Sequence, residues 1–149
     1  MKTLKERIIE KIKEKIIQCD GEAYMPVLRG LPIYFWMSPS GKGLEVEQLN
    51  DYVLTWDEFA EIVVKANELG GKMYRGDALA QGGGKLGYDI PYECMEGFIA
   101  KELLHTADGT SVTRRSTYYA GILAWAGIVT IHKSQGNGSF ITVNSEYRA

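Results

Sequence analysis

No aspartate or glutamate occurs between Asp108 and Glu146, although the chain holds 19 acidic residues. The 37 positions from 109 to 145 contain Arg114, Arg115, His132 and Lys133 instead. The same window also constrains the fold, because it reads as helix, strand, glycine turn and strand. At 100° per residue, Val112, Tyr119, Ile122, Leu123 and Ala126 share one side of a helix running from about Thr113 to Ala126. Gly127 ends it. Ile128–His132 and Ser139–Asn144 then read as two strands. KSQGNG joins them as a hairpin whose tip lies at Ser134–Gly138.

Upstream, the apolar period changes from segment to segment. TLKERIIEKIKEKIIQ (3–18) repeats Leu4, Ile8, Ile9, Ile12, Ile16 and Ile17 along one helical stripe. That stripe either packs on the chain's own core or forms a dimer seam. Two heptads are short for a coiled coil, which favours the core. Ala23–Leu28, Leu31–Met37 and Gly43–Leu49 are short and split by turn residues, as a small antiparallel meander requires. GLEVEQL alternates like a half-solvated strand. TWDEFAEIVVKANEL (55–69) predicts a helix capped by Thr55, with Glu58 completing a capping box. Gly70–Gly71 stops it. Residues 70–91 are glycine-rich and predict a mobile connection with one short helical turn at Asp77–Gln81. Pro91 opens a further helix through about His105.

Three helices (55–69, 92–105 and 113–126) followed by a hairpin (128–144) make the order of a winged-helix unit. The ending WAGIVTIHKSQGNGSFITV resembles winged-helix ends in which a glycine closes the recognition helix and a short basic hairpin follows. The resemblance is one of pattern and covers at most residues 55–144. The 22-residue connection at 70–91 departs from it. The expected fold is therefore α+β: an N-terminal helix and small antiparallel meander, then a winged-helix-like unit with a C-terminal β-hairpin. The segments divide as 1–53 and 54–149, within one compact domain.

What the resemblance implies is DNA binding. The helix side opposite its apolar stripe carries Arg114, Thr117, Tyr118, Gly121 and Trp125, and in a winged-helix unit that side enters the major groove. Arginine and threonine suit phosphates or base edges, and aromatics stack. Arg115 lies beside Arg114. His132, Lys133, Ser134, Gln135 and Asn137 add donors on the wing. Arg75, Lys72 and Lys85 add phosphate contacts if their loop shares that side. The competing expectation buries Tyr118 and Trp125 under the N-terminal helix or the meander.

Charge agrees with a sided molecule rather than a uniformly basic one. Net charge is −2. Residues 1–18 carry six basic and three acidic groups, residues 19–70 three and nine, and residues 71–149 eight and seven. One face can meet nucleic acid while another stays solvated or meets a partner. The acidic 19–70 segment suits a second function class: a protein–protein interaction module, possible as a homodimer, without catalysis.

Catalytic and metal chemistry find little support. GGK at 70–72 and GGGK at 82–85 lack the Ser or Thr and the spacing of a phosphate-binding loop. Cys19, Cys94, His105 and His132 share no short spacing, so no metal site or cofactor is expected. The cysteines read as buried free thiols. Glu45, Glu47 and Asp51 near Lys42 and Lys65 fit a solvated strand face better than a nuclease cluster. No Ser–His–Asp pattern emerges. With no apolar run near membrane-spanning length and no signal-peptide pattern, cytoplasmic location is the default. Size and lysine–isoleucine usage suggest a prokaryotic or phage source.

Overall fold

The computed structural model describes residues 1–28, 30–133 and 138–149. The fold is α+β. It opens with helix α1 (Leu4–Gln18). A four-stranded antiparallel meander follows: β1 (Glu22–Met25), β2 (Ile33–Met37), β3 (Gly43–Val46) and β4 (Leu54–Thr55). Helix α2 (Trp56–Glu68) leads into β5 (Lys72–Tyr74) and the short α3 (Asp77–Gln81). Helix α4 (Met95–Phe98) continues as a π-turn through Leu103. Helix α5 (Ser116–Trp125) and the hairpin β6 (Val129–His132) and β7 (Phe140–Val143) complete the fold. The second sheet has the order β5-β7-β6, all antiparallel.

Local chemistry starts the two long helices. The Thr3 hydroxyl accepts from Glu6 N at 3.1 Å and the Glu6 carboxylate accepts from Thr3 N at 3.2 Å. Thr55 and Glu58 repeat the same reciprocal cap. Each box satisfies two amides that a helix start leaves open. Ile8, Ile12 and Ile16 of α1 are fully buried in the same core as Phe59, Ile62, Val63 and Ala66 of α2. The isoleucine stripe is thus intramolecular core. Ile17, at its edge, is 64% exposed.

The meander turns one face inward. Met25, Phe35, Leu44 and Val46 are buried, and Tyr24, Tyr34, Trp36 and Glu45 alternate with them on the outer face. The core runs on through Tyr119, Ile122 and Leu123 of α5 to Ile141 and Val143 of β7. The Tyr119 hydroxyl donates to Glu58 Oε1 at 3.1 Å and lies 2.9 Å from the Tyr52 hydroxyl. Burial and the Glu58 carboxylate push this phenol far up, so it stays protonated as a donor. Tyr119→Phe is expected to lower stability by about 1–3 kcal/mol, because the half-buried Glu58 carboxylate is deprived of a charge-assisted donor. Urea unfolding measures it, and an unchanged midpoint would show that the network contributes nothing.

Three sequence expectations change. The 70–91 segment is not a bare connection. It supplies β5, which pairs with β7, and it contributes Ala80, Leu86 and Ile90 to a second apolar cluster with Cys94, Ala100 and Val112. Isolated bridges at Lys85–Ser111 and Leu86–Ile90 tie it down further. The 92–105 helix begins only at Met95, after Cys94 as its cap. Gly97 there lies so close to the chain that a Cβ would fall 1.9 Å from the Pro91 carbonyl oxygen. The last helix begins at Ser116, not Thr113. The hairpin strands stand as expected, but four of the five tip positions, Ser134 to Asn137, lie outside the described residues. No helix among the described residues is long and apolar enough to cross a membrane.

Candidate nucleic-acid interface

The centre of the site is a buried arginine. Arg75 follows β5 and is only 5% exposed. Its backbone is held on both sides, its N–H donating to Ser139 O at 3.0 Å and its carbonyl accepting from Glu96 N at 2.9 Å. The guanidinium then spreads over three hydroxyls. Nε donates to Ser116 Oγ at 3.2 Å, Nη1 to Ser139 Oγ at 2.9 Å, and Nη2 to Thr117 Oγ1 at 2.7 Å. Asp77 Oδ2 lies 3.8 Å from Nη2. One side chain thereby fastens the start of α5 to β5 and to the lead-in of β7. Gly76 makes the turn that follows, with φ +73°. A Cβ there would fall 2.6 Å from Cys94 Sγ.

Glu96 supports the same helix start. It is fully buried, and its two carboxylate oxygens accept from Arg115 N at 2.8 Å and Ser116 N at 3.0 Å. This explains why α5 starts late, since the carboxylate takes the amides that an earlier turn would have used. Burial raises the Glu96 carboxyl above its usual range, while the two amides, the Ser116 side chain and the Arg75 charge pull it back.

Beside this framework lies a cleft of about 600 Å³ between the β1–β2 connection, α3, the start of α5 and the β6–β7 hairpin. Arg75, Arg114 and Lys133 line it together with Thr117, Tyr118 and Ser139. Val27, Leu28, Leu31 and Ile33 supply apolar lining. Asp77 is the only carboxylate along it among the described residues. Arg114 reaches over α3, donating to Gln81 Oε1 at 2.9 Å. It precedes the helix instead of sitting in its first turn, which corrects the sequence expectation.

Four of the sequence-selected residues therefore meet: Arg114, Thr117, Tyr118 and Lys133. The others are elsewhere. Arg115 is half-buried with its guanidinium 4.5 Å from the Tyr52 ring centre. Trp125 is half-buried, edge-on to Phe35 at 4.9 Å, with Lys15 Nζ 4.8 Å from its ring centre. His132 stacks on Phe140 at 4.8 Å and its Nε2 lies 2.8 Å from Thr142 Oγ1. Gln135 falls outside the described residues. Gly121, on the side expected to enter the groove, faces Met25, whose sulfur would lie 2.4 Å from a Cβ. No residue of α5 is exposed. The meander packs on Gly121 and Trp125 of the side that a groove-reading helix would present, while Thr117 and Tyr118 of that side line the cleft.

Of the three auxiliary cations, Arg75 joins the cleft, whereas Lys72 lies over Tyr74 and Phe140. Lys85 is exposed beside the bridge to Ser111. Nothing in the sequence marks Arg75 for burial, because its hydroxyl partners lie 41 to 64 residues away. The Cys94 thiol is pushed up by burial, and Cys19 is half-exposed. Comparison with protein-family models, curated proteins and solved structures finds no match for the chain.

Proposed function

We propose that the chain binds DNA through its phosphate backbone, at the cleft above Arg75. The observation that carries this reading is the meeting of Arg114 and Lys133 on one concave surface with the Thr117 and Ser139 hydroxyls. Residues far apart in sequence converge there on donors suited to phosphate oxygens. Element order lends support: α2, α4 and α5 precede the β6–β7 hairpin, and β5 completes a small sheet, as in a winged-helix unit. The mode differs from groove reading. With α5 clasped, phosphate contacts at the mouth position the strand, and affinity is electrostatic with little sequence preference.

Replacing Arg114 and Lys133 together with alanine is expected to leave the melting temperature unchanged, since exposed charges contribute little. The same variant should bind duplex DNA more weakly. Its slope of log affinity against log salt should be shallower by about 0.9 for each phosphate that is no longer neutralised, hence by about two in all. Fluorescence anisotropy with a labelled duplex and the matching single strand gives both slopes. An unchanged slope removes these residues from the interface. If the parent protein ignores DNA at low salt, the reading fails.

A second reading rests on the apolar lip. Leu28 is 46% exposed and Leu31 86% exposed beside the cleft. A protein segment with an acidic and an apolar side would use both walls. Binding that persists at high salt and is abolished by Leu31→Ser favours that reading over DNA.

A further inference from the structure

The outer face of the meander has an organisation that the cleft does not use. Its residues form two cross-strand rows. In the first, Trp36 stands between Glu22 and Glu45. In the second, Tyr34 stands opposite Tyr24, and its carbonyl accepts from Glu47 N at 3.0 Å on the other side. The three rings are contiguous, with centroids 5.1 Å apart for Tyr24–Tyr34 and 5.2 Å for Tyr34–Trp36. Tyr24 is 63% exposed. Asp20 and Glu22 line a shallow hollow beside Tyr34 and Trp36. The aromatic ladder is thus open to solvent at Tyr24 and half-buried at Tyr34 and Trp36, with carboxylates on both flanks.

Two contrasts identify what this face fits. Among the described residues, seven other rings, including Trp56, Tyr92 and Tyr147, carry one of the chain's own lysines or arginines over them. Among the described residues, none lies over Tyr24, Tyr34 or Trp36. Likewise, no salt bridge among the described residues reaches Glu22, Glu45 or Glu47. Ring faces attract cations, and the flanking carboxylates add to that field. They repel phosphate, so the face does not extend the DNA surface. A sugar would use the rings but not the charge.

We propose that this aromatic–acidic face docks an arginine- or lysine-rich extended segment of a partner protein. In such a segment alternate side chains point the same way, so every second residue reaches the rings and their carboxylates. Arginine serves better than lysine because its planar group both stacks and pairs with a carboxylate. The site is independent of the cleft, and the two fail or stand separately.

The test titrates the whole protein with a labelled peptide alternating arginine with serine, followed by anisotropy and by the indole N–H resonances. Saturable binding that weakens with salt is expected, with the Trp36 resonance moving and that of Trp125 still. Tyr24→Ala, and separately the triple change Glu22→Gln, Glu45→Gln and Glu47→Gln, should each cut affinity at least tenfold without altering melting. Arg114→Ala with Lys133→Ala should leave it unchanged. Equal binding of a glutamate–serine peptide, no binding at low salt, or indifference to both ladder variants overturns the proposal. So does a Trp36 shift produced by a neutral oligosaccharide in place of the peptide. Self-association of the protein that Tyr24→Ala abolishes would make a second copy the occupant and equally overturn it.

Discussion

Replacing Ile12 with aspartate is expected to unfold the protein at ordinary temperature. Ile12 is fully buried between fully buried Ile8 and Ile16, in the core that also holds Phe59 and Ile62 of α2. The substitution removes a branched aliphatic and places a carboxylate where no cation or donor awaits it. Removing the aliphatic packing alone costs about 2–5 kcal/mol, and the unpaired polar group adds to that. The sum approaches the whole stability of a typical domain, about 5–15 kcal/mol. Ile17→Asp is the control. It lies on the same helix but is mostly exposed, so its cost should stay within about 0.5 kcal/mol. Circular dichroism with thermal or urea unfolding distinguishes the two. If Ile12→Asp melts like the parent and only changes the oligomeric state, the stripe is a dimer seam and the packing of α1 on α2 is wrong.

That stripe was legible because its signal is local. The same holds for the Thr55–Glu58 capping box, the alternating GLEV strand and the short helix at Asp77–Gln81. Each is decided by residues within a few positions of one another. The order of helices and the closing hairpin follow from such pieces. What failed was decided at long range. Lys72–Tyr74 is too short to announce a strand, and becomes one because Phe140–Thr142 lies beside it. Residues 113–115 look helical by apolar period, but the Glu96 carboxylate claims the amides of Arg115 and Ser116. Periodicity found the buried side of α5 correctly, yet it cannot say whether the opposite side is free. Tyr118 and Trp125 are partly packed against the core, and Gly121 admits Met25. Of the candidate site, the sequence showed Arg114 and Lys133 in one acid-poor window. It did not show that Arg75 underlies them.

Arg75→Met should be the most damaging polar change in the molecule. Methionine matches the length of the stem but leaves three hydroxyls, Ser116, Thr117 and Ser139, without their donor. It also removes the charge that offsets the fully buried Glu96. Breaking a buried charge arrangement from one side costs about 3–5 kcal/mol, because the remaining charge keeps its burial penalty. The sign of the pH dependence follows. Glu96 is already raised by burial, and without Arg75 it rises further. An acid whose folded pKa lies above its unfolded value is bound to its proton more tightly when folded. Its stability contribution is fully present below the unfolded pKa and disappears as pH rises through the folded one. The variant's deficit should therefore grow from acid toward neutral pH. Adding Glu96→Gln to Arg75→Met should flatten that trend and recover part of the stability, so the two changes are not additive. Urea unfolding of the four proteins of this cycle at several pH values supplies the measurement. Additive effects, or a deficit independent of pH, would mean that Arg75 acts only through its hydroxyl contacts. In either case the start of α5 loosens from β5 and β7. Since Arg114 and Thr117 are positioned by that start, DNA affinity should fall even under conditions where the variant remains folded.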